Sequence, residues 1–436
     1  MCFCSRGIAR VEYLHLSVSN DIVNGKSRRT TSLHEDGSNK TIEVFYEFDS
    51  QIEWSENTLL DGHVFAILLY ACSLGKPLKV HGPISRTALR NIDELQLAWG
   101  KWKPEIYKKI EIIPDYVDNK IRRQIGGKTI AAFSGGVDAT FTALRHTKIL
   151  PENIRYPLSS VLMVHGFDVD VYNCRDFKQL TKRVSPLLEY LDLEFRTIRT
   201  NSRDLKLQDW NDSHGLELAA CLHMLSDEFE FGIIGSSGSY DNFAMPWGSS
   251  PVTDHLISGS QLSIIHDGAG FSRTEKVAGI LNFPIACKTI KVCWSGADQS
   301  GNCGRCEKCV RTQLNFLAAG ASSPQPCFSG KLHTDHIIAA QNNKYTPLRD
   351  MRSLVAYAKA NNISGEWLSV VKNGIDEQEG KPLSSNLVSV IKDTNSLKGQ
   401  LAKIISELGF EEPAKKLWRS VRRTVIKAIA EYQTLL

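Results

Sequence analysis

The sequence predicts an α/β protein: a parallel sheet covered by helices on both faces, with an α+β region ahead of it and helices behind it. Three observations lead there. From residue 121 to about 320, short apolar runs alternate with amphipathic stretches, the pattern of a strand–helix repeat. The first run, Thr129-Ile130-Ala131-Ala132-Phe133, breaks into Ser134-Gly135-Gly136-Val137-Asp138 and then into residues that continue as a helix. Downstream, Cys293, Cys303, Cys306 and Cys309 crowd into one short stretch.

Composition narrows the classes. The chain has 436 residues, enough for two or three cores, with 42% hydrophobic and 23% charged residues, as in water-exposed globular proteins. A net charge of +4 on this length is too mild to argue for nucleic acid, which is not an expected partner. The longest unbroken apolar run, Val64 to Cys72, is too short to cross a bilayer, so no membrane span is expected. Arg6 and Arg10 precede no apolar segment, so no signal peptide is read. Eleven cysteines in so long a chain do not make a disulfide scaffold, and a cluster of four points to metal. The expected compartment is the cytoplasm.

In chain order, residues 1–120 read as an α+β domain with its own core, in a scaffolding or docking role. Ile42, Val44, Tyr46 and Phe48 alternate as on a half-buried strand. Leu59 to Leu74 reads as an apolar helix, and Pro77 to Val80 as a strand closed by His81-Gly82-Pro83. Ile84 to Trp102 carries Leu89, Ile92, Leu95 and Trp99 on one helical face. Residues 121–330 form the α/β domain. Its strands are expected at 129–133, 160–164, 195–198 and 232–235, and its helices after Gly136, at Lys178 to Leu191 and at Gly215 to Leu225. Ligands of open α/β sheets sit beyond the strands' carboxyl ends. The polar strand ends His165/Asp168, Asn201/Ser202 and Ser236/Ser237 are therefore expected to converge on Ser134. Residues 331–436 read as helical, at 348–360, 387–408 and 413–435, the last with a basic face (Lys415, Arg419, Arg422) that packs or is solvated.

The Ser134 loop has the chemistry of an anion cradle. Paired glycines let backbone approach a phosphate, and the next helix points free N–H groups at it. No Gly-Lys-Ser/Thr follows, so it is not the Walker A loop. The cysteine cluster supplies four thiolates in CxxCxxC spacing with a fourth upstream, a tetrahedral Zn²⁺ shell with no open position and hence a structural role. An iron–sulfur cluster is the alternative, but no further cysteine follows Cys309 in ferredoxin spacing.

Together the two motifs resemble the 7-cyano-7-deazaguanine synthases, the QueC-like branch of the PP-loop ATP pyrophosphatases. The loop matches that family's SGGxD segment, and Cys303-Gly-Arg-Cys306-Glu-Lys-Cys309-Val-Arg311 matches its zinc tail. Gly235-Ser236-Ser237 with Tyr240-Asp241 falls where the family has its substrate loop, and Arg273 to Lys276 where a lysine opens a helix. The resemblance covers about 129–320. It implies a Rossmann-like sheet of the adenine nucleotide alpha hydrolase type, with MgATP on Ser134, Gly135, Gly136, Val137, Asp138 and Thr140 and adenine near Val164 and His165. It implies adenylation of a carboxylate with loss of pyrophosphate, then attack by ammonia or an amine. Ser134 and Asp138, the latter orienting Mg²⁺, would serve catalysis with Lys276 and Arg311. Ser236, Ser237, Tyr240, Asp241 and Arg273 would hold the acid, and Zn²⁺ the four cysteines.

Three departures bear on the acceptor. Ala139 replaces the hydroxyl that often follows the motif's Asp, so Thr140 or Thr142 would have to supply the contact. Pro246-Trp247-Gly248-Ser249-Ser250-Pro251-Val252-Thr253-Asp254 stands where the family has another substrate segment. The chain is also about twice the usual length, like QatC-like relatives in anti-phage operons, which suits a protein partner. The alternatives are a nucleotide-binding docking subunit, ligation of the acid to an amine on a partner, or sulfur transfer to a nucleobase. Sulfur transfer would need Cys174 or Cys221, both read as buried core cysteines. Met1-Cys2 resembles an N-terminal glutaminase nucleophile, but Phe3 follows it and Ser134 comes too soon, so Cys2 and Cys4 read as bystanders.

Overall fold

The structure, a computed structural model, describes residues 11–49, 52, 54, 58–120, 127–293, 295, 298–322, 325–328, 330–342 and 348–380. Cys2, Cys4 and the helices expected at 387–408 and 413–435 lie outside them. The chain divides into residues 1–371 and 372–436; of the second unit only 372–380, which are helical, are described.

The first unit is built on one sheet of ten strands, most of them paired in parallel. The amino-terminal part contributes β1 (Leu14–Val23), β2 (Lys26–Glu35), β3 (Thr41–Phe48), helix α1 (Asp61–Leu74), β4 (Leu78–Ser85), α2 (Arg86–Trp102) and β5 (Ile112–Asp118). Next come β6 (Thr129–Ala132), α3 (Val137–Leu144), β7 (Leu158–His165), α4 (Cys174–Leu191), β8 (Glu194–Thr200), α5 (Trp210–His223), β9 (Phe231–Gly235) and β10 (Ser263–Asp267). Helices α6 (Arg273–Leu281), α7 (Pro284–Thr289), α8 (Glu307–Ala318), α9 (Thr334–Gln341), α10 (Leu348–Ala360) and α11 (Glu366–Gly380) follow. The strand order is β10-β9-β6-β7-β8-β3-β2-β1-β4-β5. The parallel half thus starts at its centre with β6, winds outward through β7 and β8, then returns to lay β9 on β6's other side. That reversal is a topological switch point, where crossovers leave on opposite faces and a crevice opens.

The expectation of a separate core in residues 1–120 is not met. β3 pairs antiparallel with β8 (Tyr46↔Thr200, Phe48↔Ile198), and one apolar cluster runs from Leu14 and Leu16 through Phe65 and Leu68 to Ile130, Leu162, Leu216 and Ile264. Helix α1 is apolar on every side, so it needs a second cover besides the sheet. It finds one in α5, where Gly62 allows the approach: a Cβ there would stand 2.5 Å from His223 Cβ. Asn201 clips the two halves, accepting from Phe45 N (2.9 Å) and donating to Glu43 O (3.0 Å). On the sheet's other face Phe133, Phe141, Met163, Val184, Ile280 and Phe316 form a second core.

Several elements escape the sequence pattern. In β2 the inward residues are Ser27, Arg29, Thr31 and Leu33, so its alternation carries almost no hydrophobic signal. β4 does not stop at His81-Gly82-Pro83 but runs on to Ser85, with a register shift between Val80 and Pro83 that absorbs the proline. Cys174 is exposed at the start of α4, against expectation, whereas Cys221 is buried. Among the described residues no helix is long and apolar enough to cross a membrane.

Candidate functional site

The Ser134 loop closes the carboxyl end of β6, beside the switch point. Gly135 takes φ +75°, and a Cβ on it would stand 3.0 Å from Val184 Cγ1. Its carbonyl accepts from Lys291 N at 2.8 Å, which fixes the loop to the segment leading into the cysteines. Gly136 is the N-cap of α3, and its amide donates to Ser134 Oγ at 3.3 Å. No side chain caps α3, so its first-turn amides keep the positive end of the helix available.

Asp138, in that first turn, holds two cations: Arg273 Nη1 at 3.0 Å on one oxygen and Lys276 Nζ at 3.2 Å on the other. Both come from the first turn of α6, which a reciprocal Ser272/Glu275 capping box starts. Lys276 is fully buried and also donates to the carbonyl of Ser236 at the end of β9. Burial pushes the Asp138 carboxyl upward, but Arg273 and Lys276 outweigh it and hold it below its ordinary value.

Two cavities meet at this loop. A polar one of about 600 Å³ is lined by Ser134, Gly136 to Ala139, Asp168, Ser237, Trp247, Arg273, Lys291, Lys308 and Arg311. A smaller, more apolar one of about 270 Å³ is lined by Phe133, Leu162, Met163, Val164, Leu180 and Ile234. Ser134, Asp138, Ala139, Asp168, Ser237 and Lys308 line both.

The cysteine centre stands on the polar cavity's flank. The four Sγ atoms lie within 4.8 Å of one another, with Cys293–Cys306 at 3.8 Å and Cys303–Cys309 at 4.0 Å. A tetrahedral shell with metal–sulfur bonds of about 2.3 Å has edges of about 3.8 Å, so the group can hold a metal ion such as zinc. Gly304, at φ +74°, turns the chain so that Cys306 N donates to Cys303 Sγ at 3.3 Å. The bond between Cys306 and Cys309 pulls the Cys306 thiol below its ordinary value and pushes that of Cys309 up. Asn302 Oδ1 accepts from Val292 N (2.8 Å) and Cys293 N (3.2 Å), orienting the upstream ligand. All four positions are protein thiols, which leaves none for a reacting molecule.

Comparison with family models, with curated proteins and with solved structures returns no match.

The structure gathers some of the residues singled out in the sequence and separates others. Ser134, Gly136, Val137, Asp138, Ser237, Arg273 and Arg311 line the polar cavity, and Val164 the apolar one. Arg311 is held by Glu307 at 2.8 Å and Asp350 at 2.6 Å. Lys276 lies beneath the site, reaching it through Asp138. Gly135, Thr140, His165, Ser236, Tyr240, Asp241, Asn201 and Ser202 line neither cavity. Thr140 is buried on the far side of α3, two residues and so about 200° round from Asp138; Thr142 donates to Asp267 at 2.8 Å. His165 stacks on Phe177 with centroids 4.3 Å apart and bonds Asp170 O through Nε2. Ser236 is buried, its hydroxyl on Gly238 O at 2.6 Å. Tyr240, 71% exposed, and Asp241 sit on a short turn that faces outward. Asn201 is the sheet clip, and Ser202 donates to Glu217 at 2.8 Å.

Two cations escaped the sequence reading. Lys291 is 3% exposed and Lys308 partly buried; both line the polar cavity, and neither forms an ion pair among the described residues. Burial lowers Lys291 below its ordinary value, with Asp168 pulling it back. The available signal was position: Lys291 precedes Cys293 by two, and Lys308 lies between Cys306 and Cys309. A loop drawn round four clustered thiols fixes the direction of such neighbours.

Proposed function

We propose that this protein is an ATP-dependent synthase of the PP-loop type, QueC-like in its reaction. It would adenylate a carboxylate, 7-carboxy-7-deazaguanine or a related acid, release pyrophosphate, and pass the acyl group to ammonia or an amine. One observation carries the proposal. At the switch point, an uncapped helix start and two lysines that form no ion pair among the described residues line the same polar cavity as the Ser134–Asp138 loop. A helix start and lysines so placed suit a polyphosphate, and the apolar slot beside them suits a purine.

Each residue then has a task. Ser134 and the backbone of Gly135 to Val137 receive phosphate oxygens. Lys291, Lys308 and Arg273 offset charge that grows on the departing pyrophosphate. Asp138 and Asp168 would offer Mg²⁺ the hard oxygen donors it takes, and the ion would supply charge neutralisation between phosphates. Because both Asp138 oxygens already hold cations, its first task is to position Arg273 and Lys276. Cys293, Cys303, Cys306 and Cys309 would hold a zinc ion and so tie together the segments that bear Lys291 and Lys308. Among the described residues no cysteine outside those four lines either cavity, which disfavours sulfur transfer. The acid and a protein partner reach the site from the cytoplasm.

Incubation with MgATP and 7-carboxy-7-deazaguanine, with and without ammonium, tests this by mass spectrometry. AMP and pyrophosphate that require the acid are expected. ADP as product, or no AMP from protein shown to bind ATP, overturns the proposal.

A further inference from the structure

The segment that departs from the QueC pattern, Pro246-Trp247-Gly248, packs on the start of α5 and brings Pro246 and Trp247 to the polar cavity. Gly248 N donates to Asn211 O at 2.8 Å, at the start of α5. The two backbones touch: a Cβ on Gly215 would fall 2.1 Å from Gly248 O, and one on Gly248 2.6 Å from His214 Nδ1. Two glycines therefore let the loop lie flat on the helix. Trp247 is held at its polar end as well, Nε1 donating to Ser237 Oγ at 3.2 Å. Its ring ends an aromatic row: Phe167–Trp210 centroids are 5.0 Å apart, Trp210–His214 6.0 Å and His214–Trp247 5.1 Å.

We propose that Trp247 is a specificity-determining residue whose indole face stacks on the planar heteroaromatic ring of the acceptor acid. The proposal rests on the adenylation reading above and adds which side chain selects the acid. Trp247 lines the polar cavity and a wider outer one of about 700 Å³, but not the apolar slot beside Val164. Trp247 thus borders the space outside the slot assigned to the nucleotide base, where a second ring would lie. A rigid indole loses little entropy on stacking, and its π face accepts a flat ring whatever the edge pattern. Ser237 lines both cavities, so the hydroxyl that fixes the indole stands where nucleotide and acid meet.

Calorimetric titration of the full-length wild type, Trp247→Ala, Trp247→Leu and Trp247→Phe tests it. The probes are 7-carboxy-7-deazaguanine, cyclohexanecarboxylate as a saturated control, and ATP. The alanine and leucine variants should bind the planar acid roughly tenfold more weakly or worse, with phenylalanine restoring most of the loss. ATP affinity should stay within about twofold in all variants, and the saturated acid should bind poorly throughout. A planar-acid affinity that ignores the substitutions overturns the proposal, as does an equal loss of ATP, no binding of the planar acid by wild type, or equal binding of both acids. Melting curves show whether the alanine variant folds; where it does not, leucine against phenylalanine decides. Trp247-dependent binding of the acid without any AMP would sink the adenylation reading and leave the stacking site standing. Acid-dependent AMP formation with binding indifferent to Trp247 would do the reverse.

Discussion

Asp138 carries one charge and holds two cations, and that imbalance sets how the site responds to change. Asp138→Asn would leave Lys276 buried without a carboxylate. Breaking one side of such a pair costs about 3 kcal/mol or more. Urea denaturation of the variant should show a loss of that size, and acid-dependent AMP formation should fall at least about a hundredfold; a variant as stable and active as wild type would refute the role. Acid sensitivity follows from the same chemistry. Asp138 and Asp267 are both raised by burial, yet end below their ordinary 3.8. Arg273 and Lys276 outweigh burial for the first, and the bonded His146 with Arg145 for the second. A carboxyl depressed by folding contributes its full stability above its unfolded value and loses it as pH falls through the folded one. The urea midpoint attributable to these two groups should therefore be flat above about pH 5 and drop below about pH 4. A midpoint that rises on acidification there would contradict the assignment. At this scale Ser134, Gly136 and Asp138 were legible because a glycine turn after a buried strand has few uses. Tyr240 and Asp241 were misplaced because spacing along a loop does not tell which way the turn faces.

At the scale of elements, the ends of strands decide what reaches the cavity. Gly166, just past β7, takes φ +122°, and a Cβ there would stand 1.9 Å from Thr200 O at the end of β8. Gly37 also has a positive φ, +76°, but nothing lies within 4 Å of its missing Cβ. Gly166→Ala should thus cost more than about 2 kcal/mol, against about 1 kcal/mol for Gly37→Ala. Equilibrium denaturation of both variants checks the ordering, and equal losses would show that close approach does not govern Gly166. The helices were readable where one face was apolar, as in α2, α4 and α10, whose last boundaries match the expected 348–360. β2 was not, because its buried face is largely polar. His165 lies at the end of a correctly read strand, yet its ring turns onto Phe177, a choice made by α4.

Over the molecule as a whole, one sheet joins β1 to β5 to the strands that carry the site. Helix α1 covers α5, and α5 carries Trp210 and His214 toward the cavity. A fragment starting at residue 127 should therefore expose the apolar side of α5 and aggregate or melt without a cooperative transition. A monomeric fragment with a sharp melt would show that the shared core is dispensable. The cysteine centre gives a second global prediction. Purified protein should hold about one zinc per chain, and chelation or Cys306→Ser should lower the melting temperature by several degrees and weaken ATP binding together. An iron absorption band, or full stability after metal removal, would overturn it.

By itself the sequence determined the chemistry that is local. Strand–turn–helix periodicity follows from a few neighbouring residues, and so does a four-thiol set at metal spacing, since both depend on separations of a turn or two. It placed Ser134 to Asp138 and the cysteines in one α/β region. Only the tertiary structure decided which side chains meet. Lys291 and Lys308 join the loop because a wrapped cysteine centre aims them there; Thr140 and His165 leave it because helix phase and a neighbouring ring turn them away. The amino-terminal strands extend the sheet because α1, apolar all round, has to be covered from two sides. Contacts between residues far apart in sequence depend on packing the whole chain at once, and that is information no local pattern holds.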